Sequence, residues 1–150
     1  SADHLLVPDP KGLRLMKKNG VVAVLLPGTS FFLRTKNHPP VPVMRKLGLT
    51  IALGSDYNPG SCMIYQMPII VGLACLVYGL TIAEALVGST LHAARALRLD
   101  TVKGSLEPGK DADLVLHDSD PLEAMTHIRL IVADGQVVYD RMPVAAGGAA

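Results

Sequence analysis

The segment from Ser55 to Ser61, with the letters SDYNPGS, places an acid, an amide and a hydroxyl directly after a short apolar run. Asp, Asn, Pro and Gly all favour turns, so one interpretation is that Asp56 simply begins a turn. The other interpretation is a site, because a carboxylate at the mouth of a buried strand can act as a ligand or as a base. The local pattern alone leaves both interpretations open.

Alternating apolar strands and helices lead up to this segment. Residues 21–28 and 49–54 are nearly continuous apolar runs, which is typical of strands buried on both faces of a parallel sheet. Helix signals lie beside them, and they predict helices over residues 10–18, 43–47 and about 82–97. This order of elements predicts βαβ units and an α/β fold.

In such a sheet the carboxyl ends of the strands are where ligands gather. Asp56 lies at one such end, and His4 lies at another if residues 1–5 finish a strand. The predicted turn at 27–30 follows a third strand. We therefore expect the ends of three strands to lie together at one edge of the sheet and to line one site.

Composition narrows the classes of protein and partner. The chain has 150 residues, of which 49% are hydrophobic and 18% charged, so it can build one modest core or form a piece of one domain. With a net charge of +1 and 4% aromatic residues, the chain has neither the basic surface nor the aromatic side chains typical of proteins that bind nucleic acid. We therefore expect no nucleic-acid partner. Cys62 and Cys75 lack the paired spacing of a zinc ribbon, and they suit a reduced, cytoplasmic setting.

The apolar segment 63–80 raises a transmembrane helix as an alternative. Gln66 and Pro68 interrupt its start, and neither Lys nor Arg occurs between Lys46 and Arg95 to anchor it. We therefore expect a buried helix and no membrane partner.

After residue 103 the sequence changes from alternating strand and helix signals to turn signals and short β-strand patterns. An alternating strand is predicted at 114–117, and Asp134-Gly135 between two β-rich runs predicts a hairpin. The small residues of 143–150 predict a disordered tail.

Several motifs together resemble the amidohydrolase superfamily, and within it the imidazolonepropionase family. They are SADHL at 1–5, VAVLLPG at 22–28, ALGSDYNPGS at 52–61 and GSLEPGKDADLVLHD at 104–118. The resemblance implies that residues 1–103 form the C-terminal part of a metal-dependent-hydrolase (β/α)₈ TIM barrel, about its last three strands. It implies that residues 104–142 are a segment of a small C-terminal β-sandwich.

The resemblance also implies roles for five residues. Asp56 matches an aspartate that binds the catalytic metal and takes a proton from water, and His4 matches a catalytic histidine beside the substrate. Asn58, Gly60 and Ser61 match positions that bind the substrate. The cofactor implied is one divalent metal, zinc or iron.

The implied activity is metal-dependent hydrolysis of the C–N bond of 4-imidazolone-5-propanoate, giving N-formimidoyl-L-glutamate in histidine degradation. The family also uses a His-x-His pair and a further histidine, which this sequence lacks. We therefore expect the chain alone to be inactive and to need a missing N-terminal barrel part or a partner chain; a homodimer is also compatible. The alternatives are a fragment of another cyclic amidohydrolase or deaminase, and a non-catalytic assembly module.

Overall fold

The computed structural model describes residues 1–123 and 125–142. The chain divides into two compact units, with the boundary between Ser105 and Leu106. The disordered tail predicted at 143–150 lies outside the described residues.

A three-stranded parallel sheet forms the centre of the first unit. Its strands are β1 (Ala2–Asp3), β2 (Ala23–Leu25) and β3 (Ile51–Leu53), in the order β1-β2-β3. The side chains of β2 and β3 are largely buried, as the apolar runs predicted. The α/β class is thus confirmed, although each strand is shorter than its apolar run.

Six helices accompany this sheet: α1 (Pro10–Lys18), α2 (Pro27–Phe32), α3 (Val41–Lys46), α4 (Met67–Tyr78), α5 (Ile82–Ser89) and α6 (Leu91–Ala96). The ends of α1 follow its sequence signals, because the Asp9 carboxylate accepts a hydrogen bond from the Lys11 N–H and Pro10 occupies the first turn. The buried side chains of Leu13, Leu25, Met44 and Ile70 pack the helices onto the sheet.

Two local predictions were wrong. Residues 27–30 do not form a turn after a long strand, because Pro27 begins helix α2, where its fixed φ and missing N–H cost nothing. The single helix predicted over 82–97 is broken at Thr90, whose φ of −120° and ψ of −93° are not helical. The hydroxyls of Ser89 and Thr90 both donate to the Leu86 carbonyl, so they compete with the helical hydrogen bonds.

The apolar segment forms helix α4, which has 12 residues and ends at Gly79 in the left-handed conformation. Within the part of the chain that the structure describes, no helix has the length and apolar character needed to cross a membrane.

The second unit contains an antiparallel sheet of three strands, β4 (Leu114–His117), β5 (Ile128–Ala133) and β6 (Gln136–Asp140). Asp134 and Gly135 connect β5 to β6 and both have positive φ, 49° and 75°. A two-residue turn with two positive φ angles matches the strand twist of a hairpin. The predicted hairpin is therefore present, while the β-sandwich stays a prediction.

Candidate active site

His4 and Asp56 meet at the carboxyl edge of the parallel sheet. His4 follows β1 directly, and Asp56 lies three residues after β3. Because both strands run in the same direction, their ends lie at the same edge, and His4 Nε2 is 3.9 Å from Asp56 Oδ2. The chain thus places an imidazole beside a carboxylate from two different βα units.

The backbone at this edge is locally unusual. His4, Leu5 and Asp56 have φ angles of 63°, 55° and 51°, in the left-handed region that residues other than glycine rarely adopt. Such conformations cost free energy and cluster at functional sites, where the surrounding structure holds them in place. Both members of the His4–Asp56 pair have a backbone in this left-handed conformation.

Thr29, which lies just beyond the end of β2, contacts Asp56 of the His4–Asp56 pair from the remaining strand of the sheet. Its hydroxyl donates a hydrogen bond to Asp56 Oδ2 at 2.7 Å, and the residue is only 4% exposed. The sequence indicated that residues 27–30 follow a strand at this edge, but it gave Thr29 no role. The signal that could have found it is its position just beyond β2.

Close packing and buried hydroxyls fix the first turn of α2. A Cβ on Gly28 would lie 2.8 Å from both Cys62 Sγ and Ile70 Cδ1, so the backbone approaches these side chains closely. Ser30 Oγ lies 2.5 Å from the Tyr78 hydroxyl, which also donates to the Leu26 carbonyl at 3.4 Å. Burial raises the pKa of Tyr78, and the bond to Ser30 opposes that rise in part. The tyrosine therefore links α4 to α2 as a neutral group.

Asn58 holds together the loop that follows Asp56. Its Nδ2 donates to the Asp56 carbonyl at 2.7 Å, and its Oδ1 accepts hydrogen bonds from the N–H groups of Gly60 and Ser61, each at 2.9 Å. The Ser61 hydroxyl lies within hydrogen-bond distance of the same amide. The three residues matched to substrate binding thus share one loop. Their contact with a substrate stays a prediction, and in the structure the Asn58 amide braces the loop.

The described residues do not supply a complete metal site. Across 1–123 and 125–142, no three His, Cys, Asp or Glu side chains gather where they could hold one ion. A catalytic zinc commonly takes three protein ligands, so Asp56 fits as one ligand of a larger set. Its side chain is 30% exposed, which leaves the carboxylate accessible from outside this chain.

Residues 9–139 match the sequence model of the Amidohydrolase family. The chain belongs to the amidohydrolase family. This membership confirms the resemblance seen in the motifs, and the match runs through both compact units.

Curated relatives narrow the resemblance further. An imidazolonepropionase from Symbiobacterium thermophilum is 49% identical over 116 residues, covering 77% of this chain and 27% of the relative. An imidazolonepropionase from a Geobacillus species is 44% identical over 144 residues, covering 92% of this chain and 34% of the relative. The chain thus spans about a third of the length of the curated relatives it matches.

Solved structures share the fold. An amidohydrolase from Thermotoga maritima superposes with a TM-score of 0.73 at 26% identity, over 93% of this chain and 36% of that protein. An adenosine deaminase from Xanthomonas campestris with bound zinc gives a TM-score of 0.70 at 23% identity, over 91% of this chain and 36% of that protein. The chain therefore has the fold of one part of these larger proteins.

Proposed function

We propose that this chain is the C-terminal part of an imidazolonepropionase. The complete protein would hydrolyse the ring C–N bond of 4-imidazolone-5-propanoate to give N-formimidoyl-L-glutamate, a step of histidine degradation. The observation that carries the proposal is the His4–Asp56 pair, 3.9 Å apart at the carboxyl edge of the sheet. Support comes from the motifs around both residues and from relatives of that name at 44–49% identity.

Asp56 is the centre of the proposed chemistry. Its carboxylate would serve as one metal ligand and would accept the proton of the attacking water. A divalent ion, zinc or iron, would when bound lower the pKa of that water. The zinc in the Xanthomonas campestris adenosine deaminase supports an ion of this kind.

His4 and the loop after Asp56 would orient the substrate. An imidazole can give or take a proton near neutral pH, which suits the attack on a ring that carries two nitrogens. Asn58, Gly60 and Ser61 would form the substrate-binding loop. Since the Asn58 amide already bonds within the loop, its part would be to hold the Gly60 backbone and the Ser61 hydroxyl toward the substrate. Because the loop is already braced by Asn58, it would meet the substrate with little ordering cost.

Because no three ligating side chains gather among residues 1–123 and 125–142, the remaining metal ligands would come from elsewhere. We propose that an N-terminal barrel part or a partner chain supplies them, and that the chain alone is inactive. A small β-sandwich completed around β4, β5 and β6, and a homodimer, belong to the same proposal. So does a cytoplasmic location, with which the two free cysteines, Cys62 and Cys75, agree.

The test is turnover of 4-imidazolone-5-propanoate by the natural polypeptide that carries this chain. We expect Asp56→Asn to abolish turnover, because the ligand charge and the proton acceptor are both lost. We expect His4→Ala to lower turnover strongly while bound metal, measured by atomic emission, is retained. Asp9→Asn is the matched control, since it changes an acid at the cap of α1 and should leave turnover intact.

Near-normal turnover by Asp56→Asn would contradict the assignment of the site. Loss of metal together with activity in His4→Ala would show that His4 has a different role. Turnover of hydantoins, dihydropyrimidines or deaminase substrates in place of imidazolonepropionate would point to another amidohydrolase. Absence of turnover with all of them would point to an assembly module.

A further inference from the structure

The buried hydroxyl of Thr29 faces the one carboxylate on which the proposed chemistry depends. Thr29 Oγ1 donates to Asp56 Oδ2 at 2.7 Å, a short distance typical of a hydrogen bond to a charged acceptor. We propose that Thr29 is a positioning residue that holds the Asp56 carboxylate in its working orientation. The inference rests on the proposed function, and it concerns a residue to which the motifs assigned no role.

Asp56 needs such a partner because little else in its own loop restrains its side chain. The terminal torsion of an aspartate is broad, so the carboxylate can rotate unless a fixed donor selects one orientation. The side chain is 30% exposed, and its backbone lies in the left-handed region. The bonds of Asn58 reach the Asp56 carbonyl and leave its carboxylate to other partners.

Thr29 is itself held rigidly enough to act as that donor. It is 4% exposed, and a β-branched side chain has a restricted χ1. Its neighbours on both sides are fixed, Gly28 by close approach to Cys62 and Ile70, and Ser30 by the buried Tyr78 hydroxyl. The donor therefore belongs to the packed part of the unit, whereas the acceptor lies on the accessible edge.

The geometry also divides the two carboxylate oxygens between different tasks. Thr29 Oγ1 and His4 Nε2 both approach Oδ2, at 2.7 Å and 3.9 Å. The Oδ1 oxygen takes part in neither contact. Thr29 thus fixes Oδ2 beside His4 and leaves Oδ1 for the metal ion and water of the proposed chemistry.

The test compares Thr29→Val with Thr29→Ser in the natural polypeptide. Valine keeps the buried shape and loses the hydroxyl, whereas serine keeps the hydroxyl and loses a methyl group. We expect Thr29→Val to lower kcat about 10- to 100-fold, the range seen when a partner that orients a ligating group is removed. We expect KM to stay unchanged and Thr29→Ser to restore most of kcat.

A Thr29→Val protein with the wild-type kcat would overturn the proposal. A Thr29→Ser protein whose kcat is as low as that of Thr29→Val would also overturn it, because the shape of the side chain and not its hydroxyl would then matter. If the wild-type polypeptide does not turn over imidazolonepropionate, the proposed function fails separately. Crystal structures of the two variants then decide the role of Thr29. If the Asp56 carboxylate is rotated in Thr29→Val and returns to its wild-type orientation in Thr29→Ser, the proposal is supported. If the carboxylate keeps its orientation in Thr29→Val, the proposal is overturned.

Discussion

Replacing Gly28 by alanine should destabilise the protein through the packing behind the candidate site. The new Cβ would lie 2.8 Å from Cys62 Sγ and from Ile70 Cδ1, whereas optimal contacts between carbon atoms begin near about 3.5 Å. Both neighbours are fully buried, so neither can swing into solvent. Overpacking of this kind costs about 1–3 kcal/mol, and we expect the free energy of unfolding to fall by about 2 kcal/mol.

The assay is urea denaturation of the natural polypeptide followed by far-UV circular dichroism. Gly12→Ala is the matched control, because Gly12 also lies in a helix but nothing is within 4 Å of a Cβ placed there. That substitution should stabilise the protein by about 0.5–1 kcal/mol, the usual gain for alanine over glycine in a helix. The two variants should therefore change stability in opposite directions.

A second substitution isolates the contact that causes the loss. Ile70→Val removes the Cδ1 atom and should cost about 0.5–1.5 kcal/mol alone. Combined with Gly28→Ala, it should cost less than the sum of the two single effects, because one of the two overlaps is gone. Strict additivity, or a Gly28→Ala protein as stable as the wild type, would refute the argument from packing.

Two further predictions concern Glu84 and Gly135. Hydrogen bonds from Arg45 and from the Thr81 N–H lower the pKa of Glu84 from 4.5 to about 2. Its stabilisation, about 1 kcal/mol after allowance for solvent screening, should be full above pH 4.5 and should disappear as the pH falls through about 2. Urea denaturation of the wild type and of Glu84→Gln across this pH range measures the stabilisation. A difference in the free energy of unfolding between the two proteins that does not change with pH would contradict the prediction. Gly135→Ala should destabilise the hairpin by about 1 kcal/mol, because alanine resists the φ of 75°, whereas Gly135→Asn should cost less, since asparagine tolerates that conformation; equal thermal stability of both variants would count against this.

Elements with complete local signals could be predicted from the sequence. Helix α1 has Asp9 at its cap, Pro10 in its first turn and Gly20 just beyond its end. The hairpin turn needs two positive φ angles, and Asp134-Gly135 is a pair that accepts them. In both cases the decisive residues are neighbours in the chain.

The errors arose where competing signals or distant contacts decide the structure. Pro27 ends an apolar run and also suits the start of a helix, and the helix prevailed as α2 packed against α4. Thr90 breaks a helix whose periodicity continues on both sides. Motif resemblance predicted His4 and Asp56 as site residues but gave Thr29 no role. The bond from Thr29 to Asp56 joins residues 27 positions apart, and the position of Thr29 just beyond β2 is the signal that the sequence offers for it.

The self-bonded loop after Asp56 has a consequence for its tolerance of substitution. Asn58 bonds to Asp56, Gly60 and Ser61, and its backbone pairs with that of Cys62, so the loop keeps its shape largely through its own atoms. Because few of the loop's hydrogen bonds end elsewhere, substitutions in neighbouring elements should leave its shape largely unchanged. The Tyr57 side chain, which is 57% exposed, takes no part in these bonds, so its replacement should leave the loop and the Asp56 carboxylate in place.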